Sequence, residues 1–123
     1  MAKEDGETEI FKRQAELCKS LSDHKRLRII HELKHGEKSV RELAEMLNIK
    51  QSNTSQHLAV LRNAGVIVPR REGNTVYYNL AHHKVAEACD IVREVIAEQI
   101  RASQHLTEIV KESKYNLYTK RRA

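Results

Sequence analysis

The chain has 123 residues, of which 40% are hydrophobic, so it is long enough for one small domain with a modest core. It contains no apolar run that could span a bilayer, and its acidic N-terminus lacks a signal-peptide core, so we expect a cytoplasmic protein whose two cysteines are thiols. The net charge of +5 is uneven, because residues 50–84 and residues 114–123 each carry +4 while residues 85–113 carry −3. Clustered basic charge predicts a polyanionic partner rather than a membrane.

Helical spacing and capping residues predict helices in the first half of the chain. A first helix is predicted from about Thr8, and Ser22 and Asp23 are suited to cap a second helix that Gly36 ends. The capping-box pattern S-x-x-E at Ser39 opens a short third helix. A turn of a few residues then leads to a fourth helix, so the third and fourth helices are predicted to form a helix-turn-helix.

The fourth helix, over residues 50–64, carries two patterns at once. Leu58, Leu61 and Ala64 recur at helical spacing and predict a buried stripe, and Gly65 ends the helix. The polar positions share hydroxyl, amide or imidazole side chains without an acid: Gln51, Ser52, Asn53, Ser55, Gln56 and His57. Such groups, at the N-terminal end of a helix, can address base edges in the major groove of DNA. The alternative is an ordinary solvated helix face, which more commonly carries Glu and Lys.

The segment after the fourth helix changes to an extended pattern. Residues 66–71 and 75–80 are β-branched or alternating, which predicts a β-hairpin. Pro69 has no N–H to donate, so the first strand is expected at a sheet edge. A hairpin directly behind a helix-turn-helix is a wing, and its predicted DNA-facing residues are Arg70, Arg71, Asn74 and Thr75. The alternative is a hairpin whose arginines only solubilise an edge strand.

A long last helix is predicted over residues 82–113, with apolar residues stepping by three and four. A helix of this length, roughly 45 Å, extends beyond what the rest of a small domain can cover, so its apolar stripe predicts a partner. The simplest partner is the same helix of a second copy, with the first helix alongside. A twofold dimer would place two reading helices about one DNA turn apart.

The expected fold is therefore mainly α with a small β-hairpin, a winged helix-turn-helix whose long first and last helices form a dimer interface. The expected parts, in chain order, are a flexible acidic N-terminus over residues 1–8, a winged helix-turn-helix domain with dimerisation helices over residues 9–113, and a basic C-terminal tail over residues 114–123.

Three stretches resemble the ArsR/SmtB family of winged helix-turn-helix repressors: S-L-S-D-H-K-R-L-R-I-I, L-A-E-M-L-N-I-K-Q-S-N-T-S-Q-H-L-A-V-L-R-N-A-G-V and R-R-E-G-N-T-V-Y-Y-N-L. The resemblance covers roughly residues 12–100. It implies a homodimer on a palindromic double-stranded DNA operator, and repression relieved by a metal, metalloid or thiol-reactive signal. By position, Gln51, Ser52, Ser55 and Gln56 match the family's base-contacting places, and residues 70–75 match the wing.

The family's metal-sensing sites are not matched. The third helix, S-V-R-E-L-A-E-M-L, has no cysteine for the arsenic and cadmium type. The places of the zinc type hold His82, Lys84, Val95 and Glu98, and neither a lysine nor a valine can serve there. His82 and His83 are therefore only weak metal candidates.

Two cysteines remain as a candidate thiol sensor, Cys18 in the first helix and Cys89 in the last. The resemblance implies that these helices pack together at a dimer interface. A cysteine pair there can form a disulfide or polysulfide bridge, or bind a soft metalloid or metal. The alternative is that both are small apolar packing residues.

We predict a sequence-specific, homodimeric transcription regulator, a repressor released from its operator by a thiol-reactive, metalloid or metal signal. The alternatives are a DNA-binding regulator without ligand sensing and a winged-helix module for protein interaction or DNA architecture. An enzyme is not expected, because the sequence has no phosphate loop, no nucleophile elbow and no paired acid/base carboxylates.

Overall fold

The computed structural model describes residues 5–112, and the side chains of all of these except residues 104–107. The predicted basic tail over residues 114–123 therefore lies outside the described residues, as do residues 1–4. The chain divides into two compact units, one ending at His83 and the other beginning at Lys84. Among the helices of the described residues, none has the length and apolar character needed to cross a membrane.

The first unit contains the four predicted helices, and the capping residues predicted for the second and third are confirmed. In chain order its elements are α1 (Gly6–Ser20), α2 (His24–Leu33), β1 (Lys38–Ser39), α3 (Val40–Leu47), α4 (Gln51–Asn63), β2 (Ile67–Glu72) and β3 (Thr75–Leu80). Asp5 and Asp23 accept backbone N–H bonds at the starts of α1 and α2. Ser39 and Glu42 form the predicted capping box at α3. Because Asp5 caps α1, that helix begins at Gly6, inside the segment that was predicted to be flexible.

Two residues of the helix-turn-helix adopt a left-handed backbone conformation, and each follows the end of a helix. Asn48 ends α3 with φ 57°, a conformation that asparagine tolerates better than most residues. Gly65 has φ 77° after α4, and the next N–H, of Val66, donates to the Leu61 carbonyl at 3.0 Å. The C-terminal ends of α3 and α4 are therefore each determined by the residue that follows the helix. The prediction that Gly65 ends α4 is confirmed.

The sheet has three antiparallel strands in the order β1-β3-β2, whereas the sequence predicted only the β2–β3 hairpin. The additional strand consists of Lys38 and Ser39 alone, which is too short to leave an alternating pattern. Gly73 has φ 60° in the two-residue turn between β2 and β3, as a hairpin turn of this length requires. Pro69 lies on β2, which is an edge strand as predicted.

The core of the first unit is aliphatic. Helices α2, α3 and α4 contact one another, α4 contacts β2, and α2 and α3 contact β3. The buried apolar side chains of these elements and the residues joining them are Ile29, Ile30, Leu33, Leu43, Ala44, Leu58, Leu61, Val66, Ile67 and Leu80. By contrast, α1 leaves Ile10 and Phe11 66% and 62% exposed.

The second unit corrects the prediction of one unbroken helix over residues 82–113. It contains α5 (His83–Arg101) and α6 (Gln104–Lys111). Ser103 adopts an extended backbone between them, with φ −117° and ψ 108°, and its N–H donates to the Ile100 carbonyl at 2.8 Å. Serine readily leaves helical geometry because its hydroxyl competes for backbone hydrogen bonds.

Candidate nucleic-acid interface

Helix α4 has an inward face and an outward face. Thr54, Leu58 and Leu61 are fully buried, and the Thr54 hydroxyl donates to the Lys50 carbonyl at 3.0 Å. The predicted base-contacting residues that are exposed are Gln51, Ser52, Asn53, Ser55 and Gln56. The structure therefore places these five polar side chains on the solvent side of one helix, with the apolar stripe opposite.

His57 differs from the other predicted residues of α4, because it is half-buried. Its Nδ1 lies 3.3 Å from Nη1 of Arg26 on α2, and Nε of Arg26 donates to the Ser20 carbonyl at 2.6 Å. A guanidinium can only donate, so Nδ1 of His57 is the acceptor of this hydrogen bond. His57 thus links α4 to α2, and its predicted DNA contact stays a prediction.

The N-terminal end of α4 is suited to an anion. Its N-cap residue, Lys50, makes no side-chain cap hydrogen bond, and the first turn contains no acidic residue. The first N–H groups of the helix and the positive end of its dipole therefore attract negative charge, and no carboxylate of the helix's own first turn satisfies them.

Arg70 is held within the wing by a group of side chains that we name the wing clamp. Its Nε and Nη2 each donate to a carboxylate oxygen of Glu37 at 2.7 Å, and its Nη1 donates to Glu72 at 2.8 Å. The guanidinium lies 4.9 Å from the centre of the Tyr77 ring, and Asn79 donates to Glu37 at 2.7 Å. Through these contacts Glu37, which precedes β1, is bound to both β2 and β3. The contacts engage much of the donor capacity of Arg70, so its predicted phosphate contact stays a prediction.

The wing clamp changes the acidity of Glu37. Hydrogen bonds from Arg70, and then from Asn79, lower the pKa of Glu37 from its usual 4.5 to about 2. The carboxylates of Glu37 and Glu72 in turn raise the pKa of Arg70 further above its usual value.

Replacing Glu37 by glutamine is expected to remove a pH-dependent part of the stability. Because the pKa of Glu37 falls from 4.5 to about 2 on folding, its carboxylate stabilises the fold fully above pH 4.5, and this contribution is lost as the pH falls through about 2. The difference in free energy of unfolding between the wild type and E37Q, measured with urea at several pH values, should therefore shrink toward low pH.

A matched control for E37Q is E45Q, which removes an exposed carboxylate of α3 outside the wing clamp. The unfolding difference between the wild type and E45Q should vary much less with pH. An equal pH dependence in the two variants would mean that the wing clamp does not stabilise the fold.

The tip of the wing is open to solvent. Arg71, Asn74 and Thr75 are exposed, in keeping with their predicted position toward DNA. A groove of about 570 Å³ lies between this tip and α4, and residues at the start of α3 complete its wall. The structure thus brings the outward side of α4 and the tip of the wing to the two sides of one groove.

The candidate sensor cysteines lie on two different helices. Cys18 is an exposed thiol on α1 and Cys89 a half-buried one on α5, and the two belong to different units. His82 and His83 are exposed. Over residues 5–112, leaving aside the side chains of 104–107, no three His, Cys, Asp or Glu residues are grouped to hold a metal ion. The thiol and metal roles of these residues stay predictions.

Glu37 and Arg41 are two residues of the candidate interface that the sequence reasoning did not identify. Glu37 pairs with a residue 33 positions later, which only the pairing of β1 with β3 makes possible. Arg41 lies at the start of α3 and lines the groove, and the sequence reasoning gave it no role. The basic excess noted in the sequence lies in residues 50–84, so it did not indicate either position.

A short helix, a left-handed turn, a polar-faced second helix and a following hairpin together define a winged helix-turn-helix protein. Comparison with known proteins gives the family. Residues 23–68 match the model described as "Bacterial regulatory protein, arsR family". The HTH-type transcriptional regulator Rv0081 of Mycobacterium tuberculosis is 39% identical over 89 residues, which are 72% of this chain and 78% of that protein. The chain belongs to the ArsR family of bacterial regulatory proteins, and it is a DNA-binding transcriptional regulator.

Two further relatives agree with this assignment. The HTH-type transcriptional repressor SmtB of Mycobacterium tuberculosis is 36% identical over 72% of this chain and 64% of that protein. The solution structure of the homodimeric winged helix-turn-helix DNA-binding domain Mb0332 from Mycobacterium bovis superposes with a TM-score of 0.72 at 29% identity, covering 83% of this chain and 95% of that domain. The predicted family and fold class are confirmed.

Proposed function

We propose that the protein is a homodimeric repressor that binds a palindromic operator and reads base edges with the outward side of α4. The observation that carries this proposal is the exposure of five acid-free polar residues, from Gln51 to Gln56, while Thr54 and Leu58 bury the opposite side. Hydroxyl and amide groups on an exposed helix can pair with the donors and acceptors of the major groove. Arg71 and the tip of the wing would then contact the backbone or the minor groove.

Exposed apolar side chains support the homodimer. They lie on α1 and α5, where they leave between 46% and 66% of each residue uncovered: Ile10, Phe11, Ile91, Val92, Val95 and Ile96. Large apolar side chains in such groups mark interaction surfaces, and a second copy would cover them. The homodimeric state of the Mb0332 domain is consistent with this arrangement.

The proposals of repression and of its release by a signal are supported by different observations. The SmtB relative is named a transcriptional repressor, and we infer the same direction of control here. We further propose release by a thiol-reactive, metalloid or metal signal through Cys18 and Cys89. The exposure of Cys18 would give a reagent access to its thiol.

The reading role of α4 is tested with S55A and Q56A. Each substitution removes hydrogen bonds that would distinguish base pairs, so each is expected to reduce the preference for operator over random duplex by about 1–3 kcal/mol. The operator is the duplex that the wild type selects from a random-sequence pool, and affinities are measured by fluorescence anisotropy at fixed salt.

The control for this test is N63A, which alters an exposed polar residue in the last turn of the same helix. It should keep the wild-type preference. Unchanged preference in S55A and Q56A as well would refute reading by this side of α4. A wild type that binds random duplex as tightly as selected duplex would be an architectural protein, because a specific regulator prefers its site by ~10³ or more.

A further inference from the structure

The groove between α4 and the wing is lined by groups suited to bind an anion. Its walls come from the start of α3, one side of α4, the hairpin turn and the start of β3, and they include Ser39, Arg41, Ser55, Thr75 and Tyr77. None of the residues that line the groove is acidic. The groove is therefore an acid-free channel beside the surface proposed to read bases.

Arg41 supplies the positive charge of this groove. It is exposed, and within the part of the chain that the structure describes its side chain has no hydrogen-bond or ion-pair partner. Arg70, which lies against the lining residue Tyr77, is paired with Glu37 and Glu72 in the wing clamp. Arg41 also lines a second depression, of about 490 Å³ at the N-terminal end of α4, together with Lys50 and the acidic residue Glu45.

Neutral donors complete the lining. Thr75 contributes a hydroxyl from β3, and Tyr77 contributes a phenol hydroxyl on a ring that lies against the Arg70 guanidinium. The Ser39 hydroxyl is not free, since it accepts from the Glu42 N–H in the capping box. A phosphodiester offers only acceptors and one negative charge, so a guanidinium with hydroxyl donors around it matches its chemistry.

We propose that this groove binds a phosphodiester group of one DNA strand as it passes between α4 and the wing, with Arg41 as the principal cation and Tyr77 as a neutral donor. The proposal rests on the proposed function and adds residues that neither the sequence pattern nor the exposed side of α4 indicated. It assigns Arg41 to affinity and to the position of the protein on the duplex, whereas the outward residues of α4 carry specificity. Arg70, which the wing clamp engages, is assigned a structural role, because it packs against the lining residue Tyr77.

The test compares R41Q with R62Q, which removes the charge of an exposed arginine in the last turn of α4, outside the groove lining. R41Q is expected to weaken binding to selected and random duplexes by the same factor, roughly tenfold or more, because each protomer of the bound dimer loses one charge-assisted hydrogen bond. Its slope of log affinity against log salt should be shallower by ~1.8, since the dimer releases two fewer counterions. R62Q should match the wild type in both measurements.

A second variant, Y77F, keeps the ring beneath Arg70 and removes only the hydroxyl. We expect a smaller loss on both duplexes and an unchanged salt slope, because no charge is lost. Thermal unfolding measured by circular dichroism checks that each variant keeps the fold.

The outcomes separate this proposal from the proposed function. A wild type that prefers selected duplex, together with an R41Q variant of unchanged affinity and salt slope, overturns the phosphate groove and leaves the regulator intact. A loss in R41Q confined to the selected duplex also overturns it, since Arg41 would then read a base. Absence of any preference in the wild type refutes the proposed function itself.

Discussion

Leu58→Ala is expected to lower the free energy of unfolding by about 2–5 kcal/mol, because it leaves a cavity where a large buried side chain was. Leu58 is 0% exposed and lies on the inward face of α4. A domain of this size is stable by only about 5–15 kcal/mol in total, so the loss would be a large fraction of the whole. Because α4 carries the proposed reading surface, operator binding should fail at a lower temperature than in the wild type.

The matched control is Val60→Ala on the same helix, where the side chain is 39% exposed. Less apolar surface is lost there and solvent fills the space, so the expected cost is below about 1 kcal/mol. Urea unfolding of both variants checks the comparison. Equal losses at the two positions would contradict the packing of α4 against the core.

The helix-turn-helix and the wing could be predicted because their signals are local. The capping box at Ser39 and the glycine at position 65 mark the ends of helices within a few residues. Leu58 and Leu61, which helical spacing predicted to be buried, are fully buried, whereas the burial of the polar residue Thr54 was not predicted. Local chemistry of this kind does not depend on which distant segments meet.

The parts that escaped prediction depend on long-range pairing or on a single residue. The ion pair of Glu37 with Arg70 exists only because β1 joins the sheet beside β3. The break at Ser103 leaves the spacing of apolar residues intact on both sides, so periodicity gave no sign of it. The sequence also grouped Arg70 and His57 with the predicted DNA-contacting residues. In the structure each has a partner that is distant in sequence, and local patterns do not reveal such a partner.

The second large effect follows from the proposed homodimer and concerns Val92→Glu on α5. Val92 is 61% exposed within one chain, so the substitution should leave the fold of the protomer intact. In a twofold interface the new carboxylate would appear twice and would be buried without a partner, at a cost of several kcal/mol. We therefore expect a shift from dimer to monomer, measured by sedimentation, and a fall in operator affinity toward the random-duplex level, on the order of 10³-fold.

Val92→Leu is the control at the same position, because it keeps an apolar side chain of similar size and should retain the dimer and its operator affinity. Thermal unfolding of V92E by circular dichroism distinguishes dissociation from unfolding, since a dissociated protomer keeps its helices. A V92E protein that sediments as a dimer and binds the operator normally would remove this face of α5 from the interface. A monomeric V92E that still binds the palindrome with wild-type affinity would instead show that one protomer suffices, because two linked reading helices gain affinity only when both engage the same duplex.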